Sequence, residues 1–415
     1  MEEILIVGAG LAGLSAAYEL TKKGYTNITI IEQLDRVGGR VLTDTINKLP
    51  YDLGGFIILP WYKYFISYCQ ELDIASQLTL IPDFQEYYYN TSFKKFISLT
   101  TTKTPLIEIL KLVAHILPLY LRGKLNFYNF NDYSSETAQQ FLDRILGKGS
   151  VLSQFHNLIF QAYTYPSLDR TPKYSYLKFL LKMSFGYFNK AYILKDGTSI
   201  LTGKLYERLI NSGVKFHFEK KVASIKKNLV ETDSGDKFKT DKIIIATTLD
   251  NNLFNKILNT NYKFEYTNNY SIFVEMDNQC LIDEELNKKW SVVYLSKSKE
   301  NGILSFYNLK SINNLHNDNS IGIIMKSDEM RTYGIEELES KLKGYLYNIL
   351  PNNSIKRIIT YTHWQKTMPI VPSAFVKRLN DMQGEDGIYF VGDYIGSSSM
   401  ETAISSCIKI VKSIK

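Results

Sequence analysis

Cysteine and histidine are scarce in this sequence. The 415 residues include three cysteines, Cys69, Cys280 and Cys407, and five histidines. Because the cysteines lie far apart along the chain, they predict neither a disulfide framework nor a metal cluster. The histidines show no ligand spacing, so no metal site is expected. The low cysteine content fits the reducing setting of the cytoplasm, where we expect this protein.

The sequence also has no long uninterrupted hydrophobic run. Its most apolar long stretch, LIEILKLVAHILPLYL at 106–121, contains charged residues and a proline and is shorter than a bilayer span. We expect a partly buried helix that lines an apolar pocket, and contact with a membrane surface is the less favoured alternative. Because only Met1 to Glu3 precede the first apolar run, we expect no cleavable signal or transit peptide.

Charge of one sign is nowhere gathered into a block. The formal net charge of +7 is spread through Lys-rich and Asn-rich stretches. This distribution argues against a nucleic-acid partner, and solubility or a weak attraction to anionic surfaces explains it better. The hydrophobic fraction of 45% is ample for a packed globular protein.

The first twenty residues, MEEILIVGAGLAGLSAAYEL, predict a strand, a tight turn and a helix. In such a unit Gly8 allows the sharp turn, Gly10 lets the backbone approach a pyrophosphate, and Gly13 lets helix and sheet pack closely. A second apolar strand, 27–31, leads to Glu32, an acid placed to accept hydrogen bonds from ribose hydroxyls. The alternative is a structural βαβ unit without a ligand.

The length of the chain predicts two or more domains. Apolar strands next to glycine-rich turns and helices recur at two later places. One place is 195–248, where Leu201, Leu205 and Leu209 share a helix face, and another is 387–414. The intervening stretches are rich in aromatics and show helical periodicity. We therefore predict an α/β protein with a Rossmann-like nucleotide-binding domain in three segments and an α+β substrate domain built from two insertions. The predicted bounds are 1–85, 195–255 and 370–415 for the first domain, and 86–194 and 256–369 for the second.

Four motifs carry a resemblance to a known family. They are GAGLAG at 8–13, IEQLDRVGGR at 31–40, YDLGG at 51–55 and YFVGDYIGSSSMETAISS at 389–406. Together they resemble the flavin-containing amine oxidase superfamily, which also holds protoporphyrinogen oxidases and phytoene-type desaturases. The resemblance implies bound FAD whose N5 accepts a hydride from a small-molecule substrate.

The resemblance also implies cofactor roles for individual residues. Glu32 matches the ribose-binding acid, and Val222 matches the position whose backbone meets adenine. The other matching positions are Gly39 and Arg40 near the pyrophosphate and flavin, Gly54 and Gly55 near the flavin ring, Gly392 and Asp393 at the ribityl–phosphate region, and Met400, Glu401 and Ala403 at a helix start under the isoalloxazine. A helix N-terminus at that place stabilises the negative charge of a reduced flavin.

The substrate side is less well defined by the resemblance. Trp364 and Pro369 match a substrate-side segment, so Trp364 either shapes the pocket beside the flavin or is a buried core residue. Lys366 is a candidate for orienting a water or an anionic substrate group, with a solvated lysine as the alternative. Aromatic stretches such as EYYYN (86–90) and QAYTYP (161–166) either line a pocket or form ordinary core.

Three departures from the family pattern bear on chemistry. Ser399 stands where amine oxidases with an aromatic cage carry an aromatic residue, and the strand YSIFVEMD at 270–277 lacks the lysine that many members place near N5. The segment 361–390 has no cysteine for a covalent link, so we expect non-covalent FAD.

Three functions follow as hypotheses. The leading one is an FAD-dependent oxidoreductase that removes a hydride from a C–N or C–C bond of a small, mostly apolar substrate. The second is a flavin-dependent isomerase or mutase without net oxidation. The third is a non-catalytic flavoprotein whose aromatic insertions bind a partner.

Overall fold

The structure is a computed structural model. It describes residues 2–81, 86–90, 95–98, 105–123, 125, 134–184, 190–277, 290–295, 302–327, 331–347, 349–350 and 354–414, with side chains omitted at 90, 95–98 and 182–184. Cys280 lies outside this part of the chain, as do most residues of two further stretches rich in aromatics, LNFYNFNDY at 125–133 and FGYFNKAY at 185–192.

The described strands and helices are numbered separately in chain order. The strands are β1 (Ile4–Val7), β2 (Ile28–Ile31), β3 (Thr43–Ile46), β4 (Leu49–Asp52), β5 (Leu78–Leu80), β6 (Glu86–Asn90), β7 (Lys95–Ser98), β8 (Tyr192–Leu194), β9 (Lys215–His217), β10 (Val222–Lys226), β11 (Leu229–Thr232), β12 (Lys237–Lys239), β13 (Lys242–Ile245), β14 (Glu265–Tyr266), β15 (Asn269–Met276), β16 (Val292–Leu295), β17 (Ile303–Asn308), β18 (Ser320–Lys326), β19 (Ile355–Trp364), β20 (Pro369–Ile370) and β21 (Ile388–Phe390). The helices are α1 (Leu11–Lys22), α2 (Lys63–Glu71), α3 (Leu106–Leu121), α4 (Ala138–Leu146), α5 (Val151–Ala162), α6 (Lys173–Ser184), α7 (Ser199–Asn211), α8 (Asn251–Leu258), α9 (Leu309–Ile312), α10 (Ile335–Tyr347), α11 (Ser373–Asp381) and α12 (Met400–Ser413).

A five-stranded parallel sheet has the order β21-β13-β1-β2-β9. Ile4 and Ile6 of β1 pack into one core cluster, and Leu5 and Val7 pack into another on the opposite face. Both faces of the sheet are therefore covered, which explains why its central strands are continuous apolar runs. The strand order reverses between β1 and β13, and ligands of open parallel sheets bind outside such a switch point.

Helices from the two ends of the chain pack together beside this sheet. α1 packs against α7 and α12, and α12 also packs against α2. The Sγ of Cys407 donates to the backbone oxygen of Ala12 at 3.0 Å. Cys69 and Cys407 are buried free thiols. The first and last segments of the chain therefore build one unit of structure.

The second large sheet has seven strands in the order β19-β15-β18-β17-β16-β6-β7. All its pairings are antiparallel except the one between β16 and β6. The helices that periodicity predicted over 256–369 are absent from most of the described part of that stretch, where β14 to β20 lie instead. Seven of the eight residues of β15 are buried, so the strand has no regular polar face that alternation would reveal.

The α/β fold class is confirmed by the parallel sheet and its covering helices. The amphipathic helix of the middle segment is also confirmed, since Leu201, Leu205 and Leu209 are buried on α7. Strands of the parallel sheet come from all three segments predicted for the nucleotide-binding domain. The domain bounds themselves stay a prediction.

The apolar stretch 106–121 forms the helix α3, which is partly buried, as expected, and its place beside an apolar pocket stays a prediction. Leu112 is buried, whereas Leu106 and Leu121 are 69% and 73% exposed and six further large apolar side chains are exposed. These are Ile107, Ile109, Leu110, Val113, Leu117 and Tyr120. Among the described residues, no helix has the length and apolar character needed to cross a bilayer.

Candidate functional site

The glycine-rich turn after β1 lies at the carboxyl edge of the parallel sheet. A Cβ on Gly13 would lie 1.8 Å from the backbone oxygen of Gly8, so helix and turn are in contact there. A Cβ on Gly10 would meet only the Cα of Gly39, at 3.9 Å, and Gly10 has an ordinary φ of −69°. Packing within the protein therefore requires Gly13, whereas Gly10 leaves open space beside the turn.

The N-terminus of α1 opens onto the same space. Its N-cap residue is Gly10, which has no side chain to accept from the first-turn N–H groups, and the first turn contains no acidic residue. Unpaired N–H groups and the helix dipole at such an end favour an anion. The phosphate position predicted for this turn stays a prediction.

Glu32 lies at the end of β2, beside the glycine turn. Its buried carboxylate accepts hydrogen bonds from the backbone N–H of Ala9 at 2.7 Å and of Leu34 at 2.9 Å. The backbone oxygen of Glu32 accepts from the N–H of Lys220, two residues before Val222. These bonds hold Glu32 at the turn and bring the start of β10, with the half-buried Val222, to the same edge.

Arg40, the last residue of the second motif, joins that motif to the fourth one. Its guanidinium donates to both carboxylate oxygens of Asp393, at 2.9 and 2.6 Å, and to the backbone oxygen of Thr367 at 2.6 Å. Burial opposes the charge of Arg40, but the carboxylate of Asp393 outweighs burial and holds the pKa of Arg40 above its usual value. A bidentate pair of this kind fixes both orientation and distance.

Gly392, just before Asp393, has a φ of +146°, and its N–H donates to the Oγ of Ser406 on α12 at 2.9 Å. This bond attaches the turn after β21 to the helix that follows. The turn therefore presents Asp393 to Arg40 in a fixed position.

The paired glycines Gly54 and Gly55 lie against two other motifs. The N–H of Gly55 donates to the backbone oxygen of Arg40, and a Cβ on Gly54 would lie 2.1 Å from that oxygen. A Cβ on Gly55 would lie 3.6 Å from the Sδ of Met400. The structure thus places the second, third and fourth motifs side by side.

The start of α12 combines capping with a buried carboxylate. The Oγ of Ser399 accepts from the N–H of Thr402, as an N-cap does. Glu401 is fully buried and accepts from the backbone N–H groups of Tyr64 and Phe65, each at 2.9 Å. Glu401 therefore caps α2, a structural role that the resemblance did not indicate. Met400 and Ala403 are half-buried at the same helix start.

Asp52 of the YDLGG motif connects β4 to α7. It accepts from the hydroxyl of Thr43 at 2.5 Å and from the backbone N–H of Thr198 at 2.8 Å. Burial raises the pKa of Asp52 to about 6, although these hydrogen bonds favour the ionised form. A carboxyl group that titrates near neutrality lies three residues before Gly55.

The two predicted substrate-side residues have different settings. Trp364 is half-buried, and its Nε1–H donates to the backbone oxygen of Leu53 at 2.7 Å, next to the paired glycines. The side chain of Lys366 is exposed, and its Nζ lies 4.0 Å from Asp250. Trp364 therefore lies at the cofactor motifs, whereas the setting of Lys366 is that of the solvated alternative. Both predicted roles stay predictions.

A polar cluster on the mixed sheet was not predicted from the sequence. Glu86 of β6 accepts hydrogen bonds from the hydroxyls of Tyr163, at 3.1 Å, and Tyr294. Burial raises the pKa of Glu86. An acid directly before three tyrosines in EYYYN was the available signal, because an acid among aromatics in a strand needs polar partners.

Aromatic rings connect this cluster to the C-terminal motif. Tyr163 and Tyr165 both contact Phe179, with ring centroids 6.1 and 5.6 Å apart. The hydroxyl of Tyr165 donates to the backbone oxygen of Ser398. The aromatic stretch 161–166 therefore reaches the turn just before α12, where the resemblance places the flavin.

These features together fit an FAD. Gly10 leaves room for a phosphate at an open helix N-terminus, Glu32 is held beside it, and Gly55 and Met400 border the region predicted for the ring. The second and fourth motifs meet through Arg40 and Asp393. An elongated dinucleotide requires such a continuous edge.

Comparison with known proteins agrees with this geometry. A family model described as flavin containing amine oxidoreductase matches residues 11–414. Among curated proteins, a polyenoic fatty acid isomerase of Ptilota filicina is 42% identical over 82 residues, 18% of this chain and 16% of that protein. A putrescine oxidase of Kocuria rosea is 30% identical over 120 residues, 27% of this chain and 24% of that protein.

A solved structure extends the likeness to the whole fold. The CLA-producing fatty acid isomerase from P. acnes superposes with a TM-score of 0.74 over 99% of this chain and 98% of that chain. Its sequence identity is 16%, so the likeness shows a shared fold alone.

Proposed function

The chain belongs to the flavin-containing amine oxidoreductase family, and from this premise we propose that it binds FAD non-covalently and oxidises a small, mostly apolar substrate. The observation that supports this most is the meeting of the glycine turn, Glu32, the paired glycines and the Arg40–Asp393 pair at one sheet edge. Non-covalent binding rests on the lack of cysteine in 361–390.

When bound, the flavin supplies the hydride acceptor, its N5, for a C–N or C–C bond of the substrate. The protein supplies binding and orientation. In this proposal Glu32 accepts hydrogen bonds from the ribose hydroxyls, and the open start of α1 binds the pyrophosphate. The half-buried start of α12, with Met400 and Ala403, stabilises the ring edge that becomes negative on reduction.

Aromatic side chains favour an apolar substrate. Trp364 is anchored to Leu53, and the ring of Phe56, just after the paired glycines, lies 5.3 Å from that of Tyr307. The hydroxyl of Tyr165 donates to the backbone oxygen of Ser398, just before α12. Such rings supply apolar area with few hydrogen-bonding groups, as in a site for a flat or aliphatic molecule.

Ser399 supports a second candidate, an isomerase or mutase without net oxidation. The aromatic residue of an amine cage is missing there, and the hydroxyl of Ser399 is used as an N-cap. Both similar proteins with isomerase in their names act on fatty acids by those names, so we include a polyunsaturated fatty acid as a candidate substrate.

The absorbance spectrum of the purified protein tests the cofactor. We expect a flavin spectrum, and acid precipitation releases the chromophore into the supernatant if it is non-covalent. A colourless protein that FAD fails to reconstitute would refute the proposal. Chromophore retained in the precipitate would refute non-covalent attachment alone.

Anaerobic mixing separates the two reactions. Amines, polyenes, porphyrinogens and polyunsaturated fatty acids are added in turn while the flavin band is followed. Lasting bleaching with oxidised product supports the oxidoreductase, whereas product isomers without stoichiometric reduction of an acceptor support the isomerase. If none of these compounds is converted, a non-catalytic flavoprotein becomes the better account.

A further inference from the structure

The outward face of α3 is an exposed apolar surface. Leu106, Leu110, Val113, Leu117 and Leu121 recur every three or four residues and are each at least 45% exposed. A helix of this length extends about 24 Å. Monomeric proteins rarely leave a continuous apolar strip of this length in water, so the strip marks an interaction surface.

The opposite face attaches α3 firmly to the protein. Leu112 is buried, and Ile116 and Leu119 pack against the core cluster that also holds Phe160 and Phe179. The carboxylate of Glu108 accepts from the backbone N–H groups of Val151 and Leu152 at the start of α5. The outward face is thus presented on a fixed helix.

Basic residues border one edge of this face. Lys111, His115 and Arg122 are exposed and lie on one side of the helix, by their spacing of four and seven residues. Glu108 is the helix's acidic residue, and it faces the start of α5. In the sequence from 94 to 124 the charged residues are Lys94, Lys95, Lys103, Lys111, Arg122 and Lys124, against Glu108.

We propose that α3 docks this protein onto an anionic phospholipid membrane, lying in the interface with its apolar face among the acyl chains. An exposed apolar face with cations at its edge is the pattern of interfacial helices. The cations then meet lipid phosphates while the leucines leave water. Docking involves no residue of the flavin site and is independent of the proposed reaction.

Charge favours a membrane over a second copy of the chain. Two copies packed through α3 would bring Lys111 and Arg122 close to like charges, on proteins that each carry a net charge of +7. An anionic lipid surface offers the opposite charge along the whole helix.

Vesicle co-sedimentation of the full-length flavoprotein tests the proposal. We expect binding to phosphatidylcholine vesicles that contain about 30 mol% phosphatidylglycerol, and about tenfold weaker binding to phosphatidylcholine alone or in high salt. The variant Leu110→Glu/Leu117→Glu should bind at least about tenfold more weakly. The control Ile210→Glu/Ile335→Glu changes residues that are 44% and 52% exposed on other helices, and it should bind like wild type.

A charge variant separates the two contributions. Lys111→Glu/Arg122→Glu should lose the preference for phosphatidylglycerol, about tenfold, while keeping the weak binding to neutral vesicles. Flavin content and far-UV circular dichroism verify that each variant is folded. Absence of wild-type binding to both vesicle types would overturn the proposal. So would a lipid-free dimer, seen by sedimentation velocity, that Leu110→Glu/Leu117→Glu converts to a monomer.

Discussion

The parallel sheet and the mixed seven-stranded sheet build their parts of the candidate site in different ways. At the parallel sheet, turns and helix ends face the site, and glycines bring backbone groups close to it. At the mixed sheet, the contacts towards the cofactor motifs are made by side chains, as in the hydrogen bonds among Glu86, Tyr163 and Tyr294 and the ring contact of Tyr307 with Phe56. Backbone contacts suit a cofactor that stays the same, whereas side chains suit a substrate that varies.

The difference affects how each region should respond to mutation. Where backbone groups form the site, the Cβ added when a glycine is replaced either disrupts the packing or occupies the space of the cofactor. Where side chains form it, a substitution changes a pocket while the fold persists. Variants in the first region should therefore affect flavin content, and variants in the second should leave it unchanged.

The largest effect is expected for Gly13→Ala. Its Cβ would overlap the backbone oxygen of Gly8, so we expect the free energy of unfolding to fall by about 3 kcal/mol or more. The matched variant Gly10→Ala has room for its Cβ and an allowed φ, so its stability without cofactor should change by less than about 1 kcal/mol while flavin is lost. Urea unfolding of the apoproteins and the ratio of flavin to protein measure both.

A flavin-loaded Gly10→Ala protein would contradict the placement of the phosphates. Equal destabilisation of the two variants would contradict the distinction between packing and binding glycines. Either result would weaken the contrast between the parallel sheet, where backbone groups form the site, and the mixed sheet, where side chains do.

The second prediction concerns the acid at the end of β2. Glu32→Ala should leave a folded protein whose flavin dissociation constant is about 30- to 100-fold higher, because a carboxylate acceptor for ribose hydroxyls is lost. The carboxylate also accepts from Ala9 and Leu34, so a smaller loss of stability, about 1 kcal/mol, should accompany it. Glu32→Gln keeps one acceptor oxygen, so its flavin dissociation constant should lie between those of wild type and Glu32→Ala. Unchanged flavin stoichiometry after dialysis would exclude the ribose role.

The parts of the fold that the sequence predicted are those with a local physical signature. The turn after β1 and the face of Leu201, Leu205 and Leu209 were recognisable, because glycine placement and periodicity reflect backbone geometry directly. The resemblance then named residues that the structure brings to one edge, although their cofactor roles stay predictions.

The rest depended on contacts between distant segments. Nothing local indicates that Glu401 caps α2 or that Arg40 pairs with Asp393, 353 residues away. Partial burial of α3 was expected, but the sequence did not indicate which of its apolar residues meet water, because the surrounding packing determines that.

A third prediction tests the mixed sheet, where side chains make the contacts. Glu86→Ala removes the acceptor for the hydroxyls of Tyr163 and Tyr294, so stability should fall by about 1–2 kcal/mol with flavin content unchanged. Glu86→Gln keeps an oxygen that can accept from both tyrosines and should restore most of this loss. Thermal unfolding and flavin absorbance measure the two effects. A flavin-free Glu86→Gln protein would show that the two regions are not separable in this way.

The last prediction concerns Asp52, where we expect a stability effect that depends on pH. Because burial raises its pKa from 3.8 to about 6, the folded protein holds this proton more tightly than the unfolded chain does. The resulting stability is complete below pH 4 and is lost as the pH rises through 6. A shift of this size corresponds to at most about 3 kcal/mol, and partial solvation of the half-buried carboxyl reduces it to about 1–2 kcal/mol.

Asp52→Asn isolates this contribution, since asparagine still accepts from Thr43 and Thr198 but does not titrate. The free energy of unfolding of wild type, minus that of Asp52→Asn, should therefore decrease by about 1–2 kcal/mol between pH 4 and pH 7. Urea unfolding at several pH values within that range measures the difference. A difference that stays constant with pH would show that Asp52 has an ordinary pKa, and a difference that increases with pH would show that its hydrogen bonds outweigh its burial.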